Sequence, residues 1–199
     1  MLVFRIAGTA AFVLGGTLPA AALDLRLAGS TLVLSGPLNW GSHHEFKSFV
    51  EALPAGTVRV VALNSGGGSV ESAMEIGRRI RKEGWATFVD ARKARCSSAC
   101  TAVFAAGVGR HYVGAESIAD GIVEPKANRG LGYHEGGSPQ SLQPMQYSGG
   151  ATGAMINLYY EFGSREAASL ATKAPPNRLY IISGATALAK GIATSLSPP

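Results

Sequence analysis

The chain has 199 residues, 46% apolar and 16% charged, with a formal net charge of +5. That is enough to bury one core and too short for two independent domains. The positive residues gather at Arg78, Arg79, Arg81 and Lys82 and again at Arg92, Lys93 and Arg95. The first group ends a predicted helix, where it complements the dipole, and no aromatic residues interleave to stack on bases, which argues against nucleic-acid binding.

Residues 1–22 carry Arg5, an apolar stretch from Ile6 to Leu18, Pro19 and Ala20-Ala21-Ala22, the order of a signal peptide. The stretch is short and broken by Gly8, Gly15 and Gly16, so an uncleaved anchor is the weaker alternative. The expectation is a periplasmic or secreted protein with no stable membrane span after cleavage. Loss of Arg5 would lower the charge from +5 to +4, and residues 23–199 would form a single domain.

Leu25 to Leu34 alternates loosely about Gly29-Ser30 and predicts an edge strand or hairpin. Ser42, with Glu45 three residues on, predicts a capped helix carrying Phe46, Phe49, Val50 and Leu53. Val58 to Leu63 predicts a strand covered on both faces. Asn64-Ser65-Gly66-Gly67-Gly68 interrupts it, and a helix from Ser69 follows, with Val70, Ala73, Gly77 and Ile80 at helical spacing and Gly84 as its stop. Trp85 to Val89 predicts a further strand. Ser98 or Ser97 opens a helix closed near Gly107, and Gly109 to Val113 gives the next strand. This order predicts an α/β layer fold of parallel strands joined by right-handed crossovers.

In such a layer the loops leaving neighbouring strands share one edge, where ligands bind. Gly66-Gly67-Gly68 and Ser97-Ser98 are therefore expected close together, and Leu131-Gly132-Tyr133-His134 can bring a histidine to the same place. A serine hydroxyl needs a base to take its proton, and a neutral imidazole does so near pH 7. The oxyanion formed by attack on a carbonyl needs preorganised N–H donors, and glycine lets the backbone approach it. The residues predict Ser98 as nucleophile, His134 as base, and Gly68 and Ala99 as donors.

"LNSGGGSV", then "CSSAC" about thirty residues later, then "GYHEGG" resembles the Clp protease proteolytic subunit and its exported relatives in the wider Clp/crotonase superfamily. The likeness spans Val58 to Gly137 and, more loosely, "RLYIISGATALAKGIAT". It implies a spiral of parallel βαβ units with helices packed outside. It also implies oxyanion duty for Gly67 as well as Gly68 and Ala99, a peptidase-like activity, and assembly into rings or trimers. Exported members often carry Ser-Ala-Cys here, which favours Ser98 over Ser97.

Three departures stand out. Gly66 replaces the family proline, Ala115 to Arg129 reads as an insertion, and no aspartate follows His134. Where the family places its orienting carboxylate, this chain reads Pro175-Pro176-Asn177-Arg178-Leu179, so Asn177 is the nearest polar candidate, with Glu161 and Glu166 as substitutes if later helices fold back. Asparagine for aspartate in a serine-protease triad costs about 10⁴ in rate, so a slow or inactive protein is expected.

Each feature also has a plain structural reading. Glycine triplets are commonly turns, paired serines commonly cap helices, and His43, His44 and His111 read as structural. The two cysteines sit four apart; on a continuous helix their β-carbons would be too far apart for a disulfide, which would need Cys96 to precede the helix. The preferred expectation is free thiols, with Cys100 packed under the helix and Cys96 beside the serine. Two cysteines without a second cluster do not make a zinc site, and no metal or cofactor is expected.

The expected activity is an exported, ATP-independent serine hydrolase acting on peptides or proteins. No Gly-x-x-x-x-Gly-Lys loop is present to bind ATP. A serine–lysine dyad is disfavoured, since no lysine lies between Lys126 and Lys173. A non-catalytic binding module is the main alternative; a crotonase-like enzyme is disfavoured because coenzyme A thioesters are intracellular. Met155 to Ala168 reads either as an oligomer-forming handle or as core.

Overall fold

The computed structural model describes residues 22–138 and 146–199. The expected export segment, apart from Ala22, lies outside the described residues. In chain order the first elements are β1 (Asp24–Ala28), β2 (Thr31–Ser35), α1 (Ser42–Glu51), β3 (Val60–Asn64), α2 (Val70–Glu83), β4 (Ala86–Asp90), β5 (Arg95–Ser97) and α3 (Ala99–Ala105). There follow β6 (Arg110–Val113), β7 (Gly121–Val123), a 3₁₀ turn at Pro125–Ala127, β8 (Gly130–Tyr133), α4 (Gly149–Glu161), α5 (Arg165–Leu170), β9 (Leu179–Ile181) and α6 (Gly184–Ala189).

Two sheets result. The first runs β1-β2-β3-β4-β6. Its parallel part, β2 to β6, follows from buried apolar strands separated by helices, as the alternation along the chain predicts. β1 and β2 form an antiparallel hairpin turned at Gly29, whose φ of 61° suits glycine. The second sheet runs β5-β8-β9-β7. There β5 and β8 are parallel, while β9 is antiparallel to both β8 and β7. The architecture is therefore mixed α/β rather than wholly parallel.

The backbones of the two sheets are joined at Ser65. Ser65, just past β3, donates its N–H to Arg95 O at 2.8 Å and accepts from Ser97 N at 3.1 Å. β5 thus continues the line of the first sheet and carries the chain into the second.

One hydrophobic cluster takes Leu32, Leu34, Val61 and Leu63 from the first sheet, Leu131 and Tyr133 from the second, and Val103 and Phe104 from α3. Met155, Leu158, Tyr159, Phe162, Ala167 and Ala168 belong to the same cluster, so the inward side of the 155–168 stretch is core. Among the described residues no helix is long and apolar enough to cross a membrane.

Several local expectations are met. Ser69 caps α2 by accepting from Ser72 N, and Gly84 closes that helix in the left-handed conformation. Others are corrected. β3 is buried on one face, where Val61 and Leu63 join the core, and half-buried on the other, where Ala62 lines an open cavity. Ser42 does not cap α1: Gly41 holds the cap position in the left-handed region, and the buried Ser42 hydroxyl has no hydrogen-bond partner among the described residues.

The cysteines are joined, with Cα atoms 5.1 Å apart. The free-thiol expectation fails because Cys96 lies in β5 and the helix begins only at Ala99, so the pair does not have the helical i, i+4 spacing that would keep the sulfurs apart.

Two of the basic side chains of α2 make ion pairs, while Arg81 donates to Phe162 O at 2.7 Å. Arg78 binds Glu161 at 2.8 Å, and Arg79 binds Glu83 at 2.9 Å.

Candidate active site

The glycine turn comes first. Leu38 N donates to Gly67 O at 2.9 Å and Ser69 N to Leu38 O at 2.6 Å, so the segment before α1 is bonded to both sides of Gly68. Gly67 has φ 89°, and a β-carbon built on it would fall 2.7 Å from Ser98 Cβ and 2.9 Å from Ala99 N. Only glycine fits here, and its lack of a side chain is what lets the turn close on the serine.

The two donors of the turn are unlike each other. Gly67 N–H is spent on Ser65 Oγ at 3.1 Å. The N–H of Gly68 has no acceptor among the described residues, as the Leu38 ladder skips it. Ala99, at the first position of α3, presents an N–H that has no intrahelical partner. Gly68 and Ala99 are therefore the free donors beside Ser98, and Gly67 is the residue that seats the turn.

Ser98 follows β5 and precedes α3. Its φ of 53° and ψ of −131° make it the one non-glycine residue with positive φ among the described residues. A serine in a sharp strand-to-helix turn of this kind presents its hydroxyl clear of the sheet. Such backbone conformations cost about 1–3 kcal/mol and gather at functional sites. The capping role is not taken up: the Ser98 side chain makes no cap hydrogen bond. Its backbone is held instead, by Ser98 N to Gly132 O at 2.9 Å and by Thr101, whose Oγ1 donates to Ser98 O at 2.5 Å and also meets Tyr159 Oη. The Cys96–Cys100 bond brackets the same turn, with both cysteines fully buried.

The neighbouring serine is different. Ser97 is buried and accepts a hydrogen bond from Asn128 Nδ2. It ties β5 to the segment entering β8.

His134 follows β8, which lies beside β5. Gly66, Gly68, Ser98 and His134 all line one cavity of about 530 Å³, whose apolar wall includes Leu38, Trp40, Val70 and Met155. Among the described residues no hydrogen bond joins Ser98 to His134; in unliganded sites such bonds are often long and tighten when substrate binds. Burial lowers the pKa of His134 from its ordinary 6.5, only partly offset by the Glu135 backbone. The imidazole is thus neutral, and able to accept a proton, at neutral pH.

The third position is empty of a partner. His134 Nδ1 is buried with no hydrogen bond among the described residues. Asn177 is exposed and does not bond the ring. Glu161 is engaged by Arg78 and Glu166 by Lys190, at 2.8 Å each, so neither substitutes.

His43, His44 and His111 stand outside this cavity. His43 Nδ1 lies 3.3 Å from Ser72 Oγ and stacks on His44, and His111 Nδ1 lies 2.9 Å from Ser197 O. No group of His, Cys, Asp or Glu among the described residues could hold a metal ion.

Sequence reasoning missed Arg95 and Arg178. Together with His134 and Gly66 they line a second cavity of about 700 Å³. The arginine directly before "CSSAC" was the available signal.

What the fold and site define is a mixed α/β protein with a strained serine between a strand and a helix, two free backbone donors beside it, and a neutral histidine on the same cavity. No family model matches the chain, and no curated protein matches it.

Proposed function

We propose that the protein is an exported serine hydrolase that cleaves peptides or proteins by acyl transfer, without ATP. The observation that carries this reading is the backbone of Ser98, held at positive φ between β5 and α3 without capping the helix. The strained turn makes backbone bonds to Gly132 and Thr101 but leaves the Ser98 hydroxyl without a capping bond, and reactivity is the natural use for that hydroxyl.

In the proposed reaction His134 accepts the Ser98 proton as Ser98 Oγ bonds to the substrate carbonyl carbon. The negative charge gathers on the carbonyl oxygen, where the N–H groups of Gly68 and Ala99 receive it. The carbon–nitrogen bond breaks, His134 returns the proton to the leaving amine, and water, deprotonated by His134, releases the acyl group from Ser98. The cavity wall of Leu38, Trp40, Val70 and Met155 suits an apolar side chain beside the cleaved bond.

The resemblance to the Clp protease proteolytic subunit supports the same reading and would make the two sheets a variant of the Clp/crotonase spiral, with homo-oligomers as in that family. The buried disulfide supports an oxidising compartment, periplasmic or extracellular. The unpartnered Nδ1 of His134 and the exposed Asn177 favour a second reading, a binding module with weak or no catalysis.

A fluorophosphonate probe decides between them. The hydrolase reading expects covalent labelling at Ser98, lost in Ser98→Ala and strongly slowed in His134→Ala. Folded wild-type protein that stays unlabelled, or that is labelled elsewhere, would leave the binding module.

A further inference from the structure

We propose that the second cavity is a carboxylate-binding subsite, so that the preferred substrates carry a carboxylate on the far side of His134 from the apolar cavity. The inference rests on the hydrolase reading for its role in substrate choice, but not for the binding itself.

Four observations carry it. The cavity is lined by Arg95, Arg178 and His134 and by no aspartate or glutamate. Arg95 has no ion-pair partner among the described residues; its backbone N–H goes to Asn64 Oδ1 at 3.3 Å while the guanidinium lies over the glycine turn, 3.3 Å from where a Gly66 β-carbon would stand. Arg178 is held in place by Glu124 at 2.7 Å, which uses one of its nitrogens and leaves further donors. With His134 neutral, two guanidinium groups and one carboxylate leave the site one positive charge in excess, which a single carboxylate would balance.

The position matters as much as the charge. Gly66 and His134 belong to the walls of both cavities, so a chain that fills the apolar cavity and crosses the reacting centre reaches the arginines next. A planar, forked guanidinium matches a carboxylate with two parallel N–H···O bonds. That carboxylate is either the peptide's own C-terminus or an acidic side chain.

The experiment uses Ser98→Ala protein, so that binding is read without turnover. Fluorescence anisotropy compares one apolar-anchored peptide in four forms: free C-terminus, amidated C-terminus, and amidated with either a glutamate or a glutamine at its end. The free acid or the glutamate peptide, or both, should bind about fivefold to tenfold more tightly than the neutral forms at low salt, given the exposure of Arg95. Adding Arg95→Gln should erase that preference, Arg95→Lys should keep part of it, and Arg178→Gln serves as an independent second test. Arg26→Gln, on a different cavity, should leave it intact.

Equal affinities for acid and neutral peptides, no binding of either acid peptide, or a preference that survives both Arg95→Gln and Arg178→Gln would overturn the proposal. Protein that labels at Ser98 but ignores the carboxylate would lose only the subsite. Protein that prefers acids but never labels would keep the subsite and lose the hydrolase.

Discussion

The first sheet of this protein is held mainly by packing; the second, whose β8 is also buried throughout, adds tethers. β2, β3 and β4 bring Leu32, Leu34, Val61, Leu63 and Val89, each no more than 2% exposed, into a continuous core. The second sheet has strands of only three or four residues. Directed bonds hold them: Tyr112 Oη accepts from Leu131 N at 3.2 Å and donates to Ile182 O at 2.9 Å, Asn128 bonds Ser97, and a disulfide closes around Ser98. Hydrophobic burial is non-directional, whereas hydrogen bonds and covalent links fix directions. A reacting group needs the second kind of control.

That contrast is open to attack from both sides. Leu32→Ala and Leu131→Ala should each cost about 2–5 kcal/mol by denaturant unfolding, since both side chains are fully buried. Measured under conditions where each variant is folded, only Leu131→Ala should also slow labelling at Ser98; equal labelling rates would show that the second sheet does not position the site. Gly67→Ala should cost about 3 kcal/mol through positive φ and close contact with Ser97 O and Ser98 Cβ. Labelling should be lost with it.

Replacing both cysteines by alanine should cost about 2 kcal/mol, the value for so short a closed loop. The labelling rate should fall further than that loss of stability alone would cause. Tyr112→Phe strands Leu131 N–H and Ile182 O, and should cost about 1–3 kcal/mol.

The smallest effect is that of pH. Burial makes His134 harder to protonate in the folded chain than in the unfolded one. Folded protein therefore binds fewer protons below pH 6.5, and the contribution of His134 to stability declines as pH falls below that value. The acid limb of the labelling rate should have its midpoint below pH 6.5; a midpoint above it would mean the wrong base has been assigned.

The same contrast governs what the amino-acid order revealed. The hairpin at Gly29, the helix between Ser69 and Gly84 and the parallel strands around it were legible, since each repeats a period or carries a cap. β5, at three residues, cannot display a period of two, and without it the helix start was ambiguous. That ambiguity misjudged the cysteines. Ser97 and Ser98 are chemically alike in the sequence, where only the Ser-Ala-Cys resemblance favours Ser98; the pairing of β5 with β8 gives the physical difference, one serine bonded to Asn128 and the other facing the cavity. The role of Gly67 was blurred in the same way, as its N–H is taken by a serine two residues back. Asn177 rests on the resemblance alone, and the structure leaves it exposed while turning Pro176 and Arg178 to the second cavity.

The pairing of Leu38 with the glycine turn has a practical consequence. Trp40 stands two residues beyond Leu38 at 82% exposure, on the cavity wall, while Trp85 is 7% exposed. The protein therefore carries its own optical gauge: a ligand settling in the cavity would dry the Trp40 indole and draw its emission to shorter wavelength, against the steady background of Trp85.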